Sequence, residues 1–178
     1  MMRDIQYLGH SAFLVDLDPY RIIIDPFLTG NPLAPASARN QRVTHILVTH
    51  GHGDHLGDAL ELARTHDAEI IAPYELALYA QEKGARVHPM HIGGAFHFPF
   101  GRVKLTMALH GSMTPDGRYA GNPCGFLLQA EGRTLYHAGD TGLFGDMKLL
   151  GDLHRPDLAL LPIGDNFTMG VQDALVAA

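Results

Sequence analysis

The hydrophobic pattern of the first half of the chain predicts three short strands followed by alternating strands and helices. Turn-forming residues such as Gly9 and Pro19 separate the first three strands, which is typical of an antiparallel meander. The predicted strands cover residues 3–8, 11–17, 21–25, 44–49 and 69–72. Helical spacing of apolar residues predicts helices over 56–66 and 74–83, and a long loop over 26–42 precedes the fourth strand.

The second half repeats this order, with a meander first and a return to alternating strands and helices. The predicted strands cover residues 95–98, 102–109, 126–130, 134–136 and 157–163, and the predicted helices cover 144–150 and 171–178. Two sets of strands, each with its own helices, favour a four-layer αββα sandwich of the α+β or α/β class. Because no linker or compositional change interrupts the pattern, we expect a single domain over 1–178.

The last predicted helix, residues 171–178, has only about two turns. Its end carries no Gly, Asn, Lys or Arg that could satisfy or neutralise the last carbonyl groups. This pattern favours a domain that is incomplete at its C-terminus, and a frayed natural terminus is the alternative.

Composition and charge exclude several classes of protein. Thirteen Lys and Arg against nineteen Asp and Glu give a net charge of −6, which disfavours a nucleic-acid partner. The single cysteine, Cys124, excludes a disulfide framework and a multi-cysteine zinc site. No apolar run reaches the roughly 18 to 20 residues of a membrane span, and Asp4 interrupts any signal peptide. We therefore expect a cytoplasmic protein that acts on a small molecule, without a nucleic-acid or membrane partner.

The densest group of potential metal-binding side chains lies in the segment His-Gly-His-Gly-Asp-His, where the predicted strand 44–49 ends. His50 and His52 alternate with glycine, so in extended backbone they project to the same side and can bind one ion. Asp54 and His55 follow at the turn into the helix and can face a second ion. Imidazole and carboxylate groups suit zinc, iron, manganese or nickel. Three imidazoles and a carboxylate on one loop have no packing explanation, so we interpret the segment as a metal site.

A metal held by His50 and His52 needs at least one more protein ligand, because catalytic zinc commonly has three. His110 ends the strand 102–109 in the same strand-to-loop setting as His50, and a surface histidine is the alternative reading. The rival histidines lie within or beside strands and are His88, His91 and His97. Asp140 follows the strand 134–136 in a Gly-rich turn, where its two carboxylate oxygens could bridge two cations.

Weaker candidates follow two other strand ends. Asp25 could orient a metal-bound histidine or cap the turn at Pro26, and the sequence leaves both readings open. Asn166 and Thr168 could hydrogen-bond a substrate, and Thr168 could equally cap the final helix.

Taken together, these motifs resemble the metallo-β-lactamase superfamily over nearly the whole chain. The resemblance is carried by His-x-His-x-Asp-His at 50–55, by His110 and by the Gly-Asp-Thr turn at 139–141. Further motifs resemble a bacterial and archaeal branch of metal-dependent hydrolases similar to ascorbate-6-phosphate lactonase, and they cover residues 8–13, 25–27, 138–141 and 164–170. The resemblance implies the αββα sandwich, with the site at the edge of the sandwich.

The resemblance also implies a set of metal ligands. Metal one would be held by His50, His52 and His110, metal two by Asp54 and His55, and Asp140 would bridge the two ions. The family pattern has one further histidine on metal two, after the helix that begins at Val171, and this sequence has none. His10 could approach from the first hairpin turn, but the sequence supplies no geometry that makes it a ligand. A neighbouring subunit of a homo-oligomer is another source.

The predicted function is hydrolysis of an ester, lactone or phosphoester-type small molecule by a metal-bound hydroxide. One or two divalent ions would be bound, with zinc favoured over manganese, iron and nickel. Asp54 is the predicted catalytic residue, which accepts a proton from the water or orients it. The alternative is a non-catalytic or activity-impaired metal-binding protein of the same fold. A di-iron redox enzyme is disfavoured because such relatives carry Glu at the position of His52, and a nuclease is disfavoured by the charge of −6.

Overall fold

The structure is a computed structural model that describes residues 4–178 and divides them into two compact units. The first unit combines residues 4–91 with Ser112–Gly121, and the second combines Ile92–Gly111 with Asn122–Ala178. The two units are therefore interleaved along the chain. Arg3, the first residue of the first predicted strand, lies outside the described residues.

The first unit contains a six-stranded sheet in the order β1 to β6. Its strands are β1 (Asp4–Tyr7), β2 (Phe13–Leu17), β3 (Tyr20–Ile24), β4 (His45–Leu47), β5 (Glu69–Pro73) and β6 (Val87–Met90). β1, β2 and β3 pair antiparallel, which confirms the predicted meander, and β3 to β6 pair in parallel. β6 was not predicted because Pro89 interrupts its pattern. Its place at the end of the sheet explains the proline, since an edge strand tolerates the missing N–H.

The helices of the first unit are α1 (Gly53–Leu56), α2 (Ala59–His66) and α3 (Tyr74–Glu82), and a 3₁₀ turn over Ala38–Asn40 lies in the long loop. The prediction of one continuous helix over 56–66 was wrong, because the chain breaks at Gly57. Gly57 has φ 42°, and a Cβ there would collide with the carbonyl oxygen of Pro26. Asp58 then accepts hydrogen bonds from the backbone of Leu28 (2.8 Å) and Thr29 (2.7 Å), which ties the start of the long loop to α2.

The core of the first unit explains why its central strands read as continuous apolar runs. Ile46 in β4 and Ile70 in β5 are fully buried, as expected for parallel strands covered on both faces. Alanines of the two longer helices, including Ala63 and Ala77, join the same cluster, and their small side chains allow close packing. This packing positions the ends of β3 and β4, after which the functional side chains follow.

The second unit contains a five-stranded sheet in the order β11-β10-β9-β8-β7. Its strands are β7 (Ala95–Phe98), β8 (Gly101–Met107), β9 (Cys124–Ala130), β10 (Arg133–His137) and β11 (Leu158–Leu160). β7 to β10 pair antiparallel, as the second predicted meander requires, and β11 returns parallel to β10 after α4 (Asp146–His154). The predicted strand 157–163 is shorter than expected, and the helix predicted over 144–150 begins at Asp146 and extends to His154.

The helices of residues 4–178 are short. α3 and α4 are nine residues long, and α5 (Val171–Ala177) begins at the predicted residue. No helix in this described range is long and apolar enough to cross a membrane.

Candidate metal centre

The site in the first unit is built at the carboxyl ends of β3 and β4. These strands are parallel neighbours, so the residues that follow them emerge at the same edge of the sheet. Asp25 follows β3, and its backbone N–H donates to the carbonyl of Leu47 at 2.9 Å, which extends the pairing past the strand ends. Thr49 and His50 follow β4 along the same edge. The register of two buried strands therefore brings the carboxylate and the histidine loop together.

The buried carboxylate of Asp25 organises this edge. It accepts hydrogen bonds from the backbone N–H of Thr49 (2.8 Å), from the Thr49 hydroxyl (2.7 Å) and from Nδ1 of His55 (2.8 Å). Asp25, Thr49, His50 and His55 all have no exposed surface. Of the two readings that the sequence left open for Asp25, the structure supports the orientation of a histidine.

The hydrogen bonds around Asp25 select one tautomer for each of two histidines. His55 must carry its proton on Nδ1 to donate to the carboxylate. The Thr49 hydroxyl donates its single proton to Asp25, so His50, whose Nδ1 lies 2.9 Å from that hydroxyl, must also be protonated on Nδ1. In both neutral rings Nε2 then carries the lone pair that a metal ion requires.

The rings of His50 and His52 lie next to each other. Nε2 of His50 lies 3.0 Å from Nδ1 of His52, with the rings edge to face. Gly51, between them, is required for space, since a Cβ there would lie 2.6 Å from the Cβ of Ala120. The backbone N–H of Gly51 donates to the hydroxyl of Ser112 at 3.1 Å. The loop is therefore held by the segment Ser112–Gly121 of the same unit.

Asp54 and His55 also come together, at α1, and the structure adds a residue that the sequence did not place there. Potential ligand atoms of His10, Asp54 and His55 all lie within 4.8 Å of one another. Nε2 of His10 is 3.2 Å from a carboxylate oxygen of Asp54. The hydrogen bond from His10, helped by His55, lowers the pKa of Asp54 well below its ordinary value, although partial burial opposes this shift.

The second unit contains the other two predicted ligands. His110 follows β8, Asp140 follows β10, and Nε2 of His110 lies 3.7 Å from a carboxylate oxygen of Asp140. Their side chains are 12% and 15% exposed, so neither is an ordinary surface residue. Thr141 joins the two loops, since its hydroxyl accepts a hydrogen bond from the N–H of Leu109 at 2.9 Å.

The rival histidines lie elsewhere in the described chain. His91 stacks on Tyr74, with ring centroids 5.3 Å apart, and His97 is exposed on β7. His88 is half-buried in β6. None of the three belongs to a described cluster of potential metal ligands.

The donor set of the first unit fits a divalent transition-metal ion. Neutral imidazoles with a defined tautomer and an ionised carboxylate are ligands of zinc and its neighbours in the first transition row. A carboxylate that holds a ligating histidine by its other nitrogen is the usual outer support of such sites, and Asp25 has this relation to His55. The described His and Asp cluster is therefore able to bind metal.

Comparison with known proteins places the chain in a family. The model of the beta-lactamase superfamily domain matches residues 20–178. A UPF0173 metal-dependent hydrolase of Anoxybacillus flavithermus is 55% identical over 178 residues, which cover 98% of this chain and 79% of the relative. A protein of the same description from Desulforamulus reducens is 56% identical over 177 residues, which cover 97% of this chain and 77% of that relative.

A solved structure agrees with these relatives. Igni18, described as a metallo hydrolase from the hyperthermophilic archaeon Ignicoccus hospitalis, has a TM-score of 0.87 and 38% sequence identity over 97% of this chain and 76% of its own. The chain belongs to the beta-lactamase superfamily and, within it, to the UPF0173 metal-dependent hydrolases. The predicted metallo-β-lactamase fold class and the prediction of a metal-dependent hydrolase are thereby confirmed.

Proposed function

We propose that the chain hydrolyses an ester, lactone or phosphoester-type small molecule at a centre that binds two zinc ions. The proposed ligands are His50, His52 and His110 for the first ion, Asp54 and His55 for the second, and Asp140 as the bridge between them. We also propose a cytoplasmic location, in agreement with the acidic composition and the small-molecule substrate.

The network around Asp25 is the observation that carries this proposal. Burying the ionised carboxylate of Asp25 costs free energy. Three hydrogen-bond donors, two of them from Thr49, compensate this cost. The result is that His50 and His55, assigned to different ions, receive their tautomers from one buried group. A hydrogen bond from one ring nitrogen to a carboxylate or to another polar group is the usual way in which proteins orient a histidine that binds a metal through its other nitrogen.

The chemistry of the site divides between the ions and the protein. Bound divalent ions lower the pKa of a coordinated water to about 7 and polarise the bond that is attacked. Asp54 is half-exposed, and its carboxylate is ionised throughout the neutral range. It can orient the attacking water or accept a proton from it. Asp25 and Thr49 hold the imidazole rings of His50 and His55 in place while this occurs.

Metal content and hydrolysis together test the proposal. Protein purified without added metal or chelator should contain about two zinc ions per chain by inductively coupled plasma mass spectrometry. It should hydrolyse at least one member of a panel made of a p-nitrophenyl ester, a γ-lactone and a bis-p-nitrophenyl phosphodiester. His50→Ala should lose metal and activity, while His97→Ala, on exposed β7, should keep both. Metal-free wild-type protein, or activity unchanged in His50→Ala, would contradict the proposal.

A further inference from the structure

The first hairpin turn brings a second histidine, His10, to the pair formed by Asp54 and His55. We propose that His10 is a protein ligand of the ion that these two residues bind, an inference that rests on the metal-dependent function proposed above. The residues of this cluster all belong to the first unit.

Distances within the cluster match those of a shared ion. Zinc bonds of about 2.0 to 2.2 Å place the ligand atoms of a tetrahedral site roughly 3.4 Å from each other. Nε2 of His10 lies 3.2 Å from a carboxylate oxygen of Asp54, and all three potential ligand atoms fall within 4.8 Å. Two imidazoles and one carboxylate would form a set of three protein ligands, which is the number that catalytic zinc sites commonly have.

The position of the His10 ring is fixed by its surroundings. The ring meets Phe27 edge to face at 5.8 Å and His55 at 5.2 Å, so neighbours on two sides limit its movement. The turn itself is closed by backbone hydrogen bonds from Leu8 to Ala12 (2.8 Å) and from Ala12 to Gly9 (3.0 Å). A hydrogen-bonded turn and two ring contacts therefore place His10 beside the pair.

The backbone at His10 is one that a histidine adopts at a cost. Its φ of 54° lies in the left-handed region, which residues other than glycine adopt uncommonly, with asparagine, aspartate and histidine the most frequent among them. Residues held in this region without a local reason often serve a functional site. The alternative reason is an ion pair with Asp54, but the two side chains are 40% and 47% exposed, and exposed pairs contribute little to stability.

Zinc binding by two variants tests the role of His10. His10→Gly and His10→Asn both suit the left-handed backbone, so they remove the imidazole without forcing the turn to change. Zinc affinity is measured on chelator-stripped protein by competition with a chromophoric chelator, and ions per chain are counted by mass spectrometry. Both variants should lose one ion or bind it at least about tenfold more weakly. His97→Ala is the control and should match the wild type.

The outcomes separate this inference from the proposed function. If the wild type binds zinc and both His10 variants bind the same number of ions with the same affinity, His10 is not a ligand and the proposed function stands. Loss of hydrolysis with unchanged zinc binding would likewise overturn the inference, because it would assign His10 to proton transfer or substrate contact. If the wild type binds no zinc, the proposed function fails and this inference fails with it.

Discussion

At the scale of single residues, Asp25 decides how two histidines face the proposed metal centre. The Asp25 carboxylate accepts three hydrogen bonds, and in Asp25→Asn the amide nitrogen cannot accept one from Thr49 or His55. The hydrogen bonds that orient Thr49 and His55 are therefore weakened. We expect zinc affinity to fall by about 10- to 100-fold in a chelator competition titration. Asp16→Asn, on β2, is the matched control and should bind zinc like the wild type. Equal affinity in Asp25→Asn would contradict the role assigned to the network.

A second residue links stability to pH. Burial, with a smaller contribution from the charge of Arg86, lowers the pKa of His45 from 6.5 to about 4. Above pH 6.5 the ring is neutral in both states. As the pH falls from 6.5 to 4, the unfolded chain binds a proton that the folded protein does not, so the stability falls by as much as about 3 kcal/mol.

Urea unfolding of chelator-treated protein at pH 4.5 and 7.5 measures this effect. His45→Asn should lose less stability than the wild type between the two pH values, because it has no ring to protonate, and His97→Asn should behave like the wild type. An identical loss in His45→Asn would show that other groups account for the pH dependence.

The sequence identified some site residues and missed others for a physical reason. The loop at 50–55 was predicted because its ligands are adjacent in sequence and have no packing explanation. His10 and Thr49 were not assigned roles, because their importance depends on contacts that form only when distant turns and strand ends meet. The Gly9-His10-Ser11 turn within the 8–13 motif was the available signal for His10.

At the scale of elements, the two glycines of the metal loop differ in what surrounds them. A Cβ on Gly51 would lie 2.6 Å from the Cβ of Ala120 and 3.1 Å from the backbone of Met113, whereas on Gly53 the nearest atom would be 3.7 Å away. Gly51→Ala must displace the segment Ser112–Gly121, which we expect to cost about 1 to 3 kcal/mol of unfolding free energy. Gly53→Ala should change stability by less than about 1 kcal/mol. Equal effects in denaturant unfolding would contradict the close approach at Gly51.

Strands and helices could be predicted from the local sequence pattern where turn residues mark their ends. The two meanders and α3 were predicted closely because Gly, Pro and apolar alternation mark their ends. The break at Gly57 was not visible, since it depends on the carbonyl of Pro26, a neighbour only in the folded unit. β6 was missed because Pro89 reads as a strand breaker until its place at the sheet edge is known.

At the scale of the whole molecule, metal binding should raise thermal stability. An ion that binds only the folded state at 100 times its dissociation constant adds about 2.7 kcal/mol. For a chain of this size that corresponds to a rise in Tm of roughly 5 to 11 °C. Calorimetry of the wild type with zinc and with a chelator measures the rise, and His50→Ala should show a smaller one. An unchanged Tm in the wild type would contradict the proposed centre.

The fold class could be predicted for the whole molecule because the order of strands and helices occurs twice and because the motifs resemble a known superfamily. The return of residues 112–121 to the first unit could not be predicted. It depends on Ala120 joining a core cluster and on Ser112 accepting a hydrogen bond from Gly51, and neither contact has a local signature.

Because residues 112–121 are synthesised after the metal loop, they can hold this loop only late in protein synthesis. Ser112 leaves the ribosome 61 residues after Gly51, which takes roughly 3 to 12 s at ordinary rates of elongation. During this interval the nascent chain exposes a histidine-rich loop whose final spacing is not yet set. Nascent chains that end before residue 121 should therefore bind zinc with a different affinity from chains that end after it. Equal affinity would show that the loop reaches its final conformation without the segment Ser112–Gly121. We therefore expect the metal loop to reach the spacing that distinguishes one metal ion from another only after the ribosome has translated this segment.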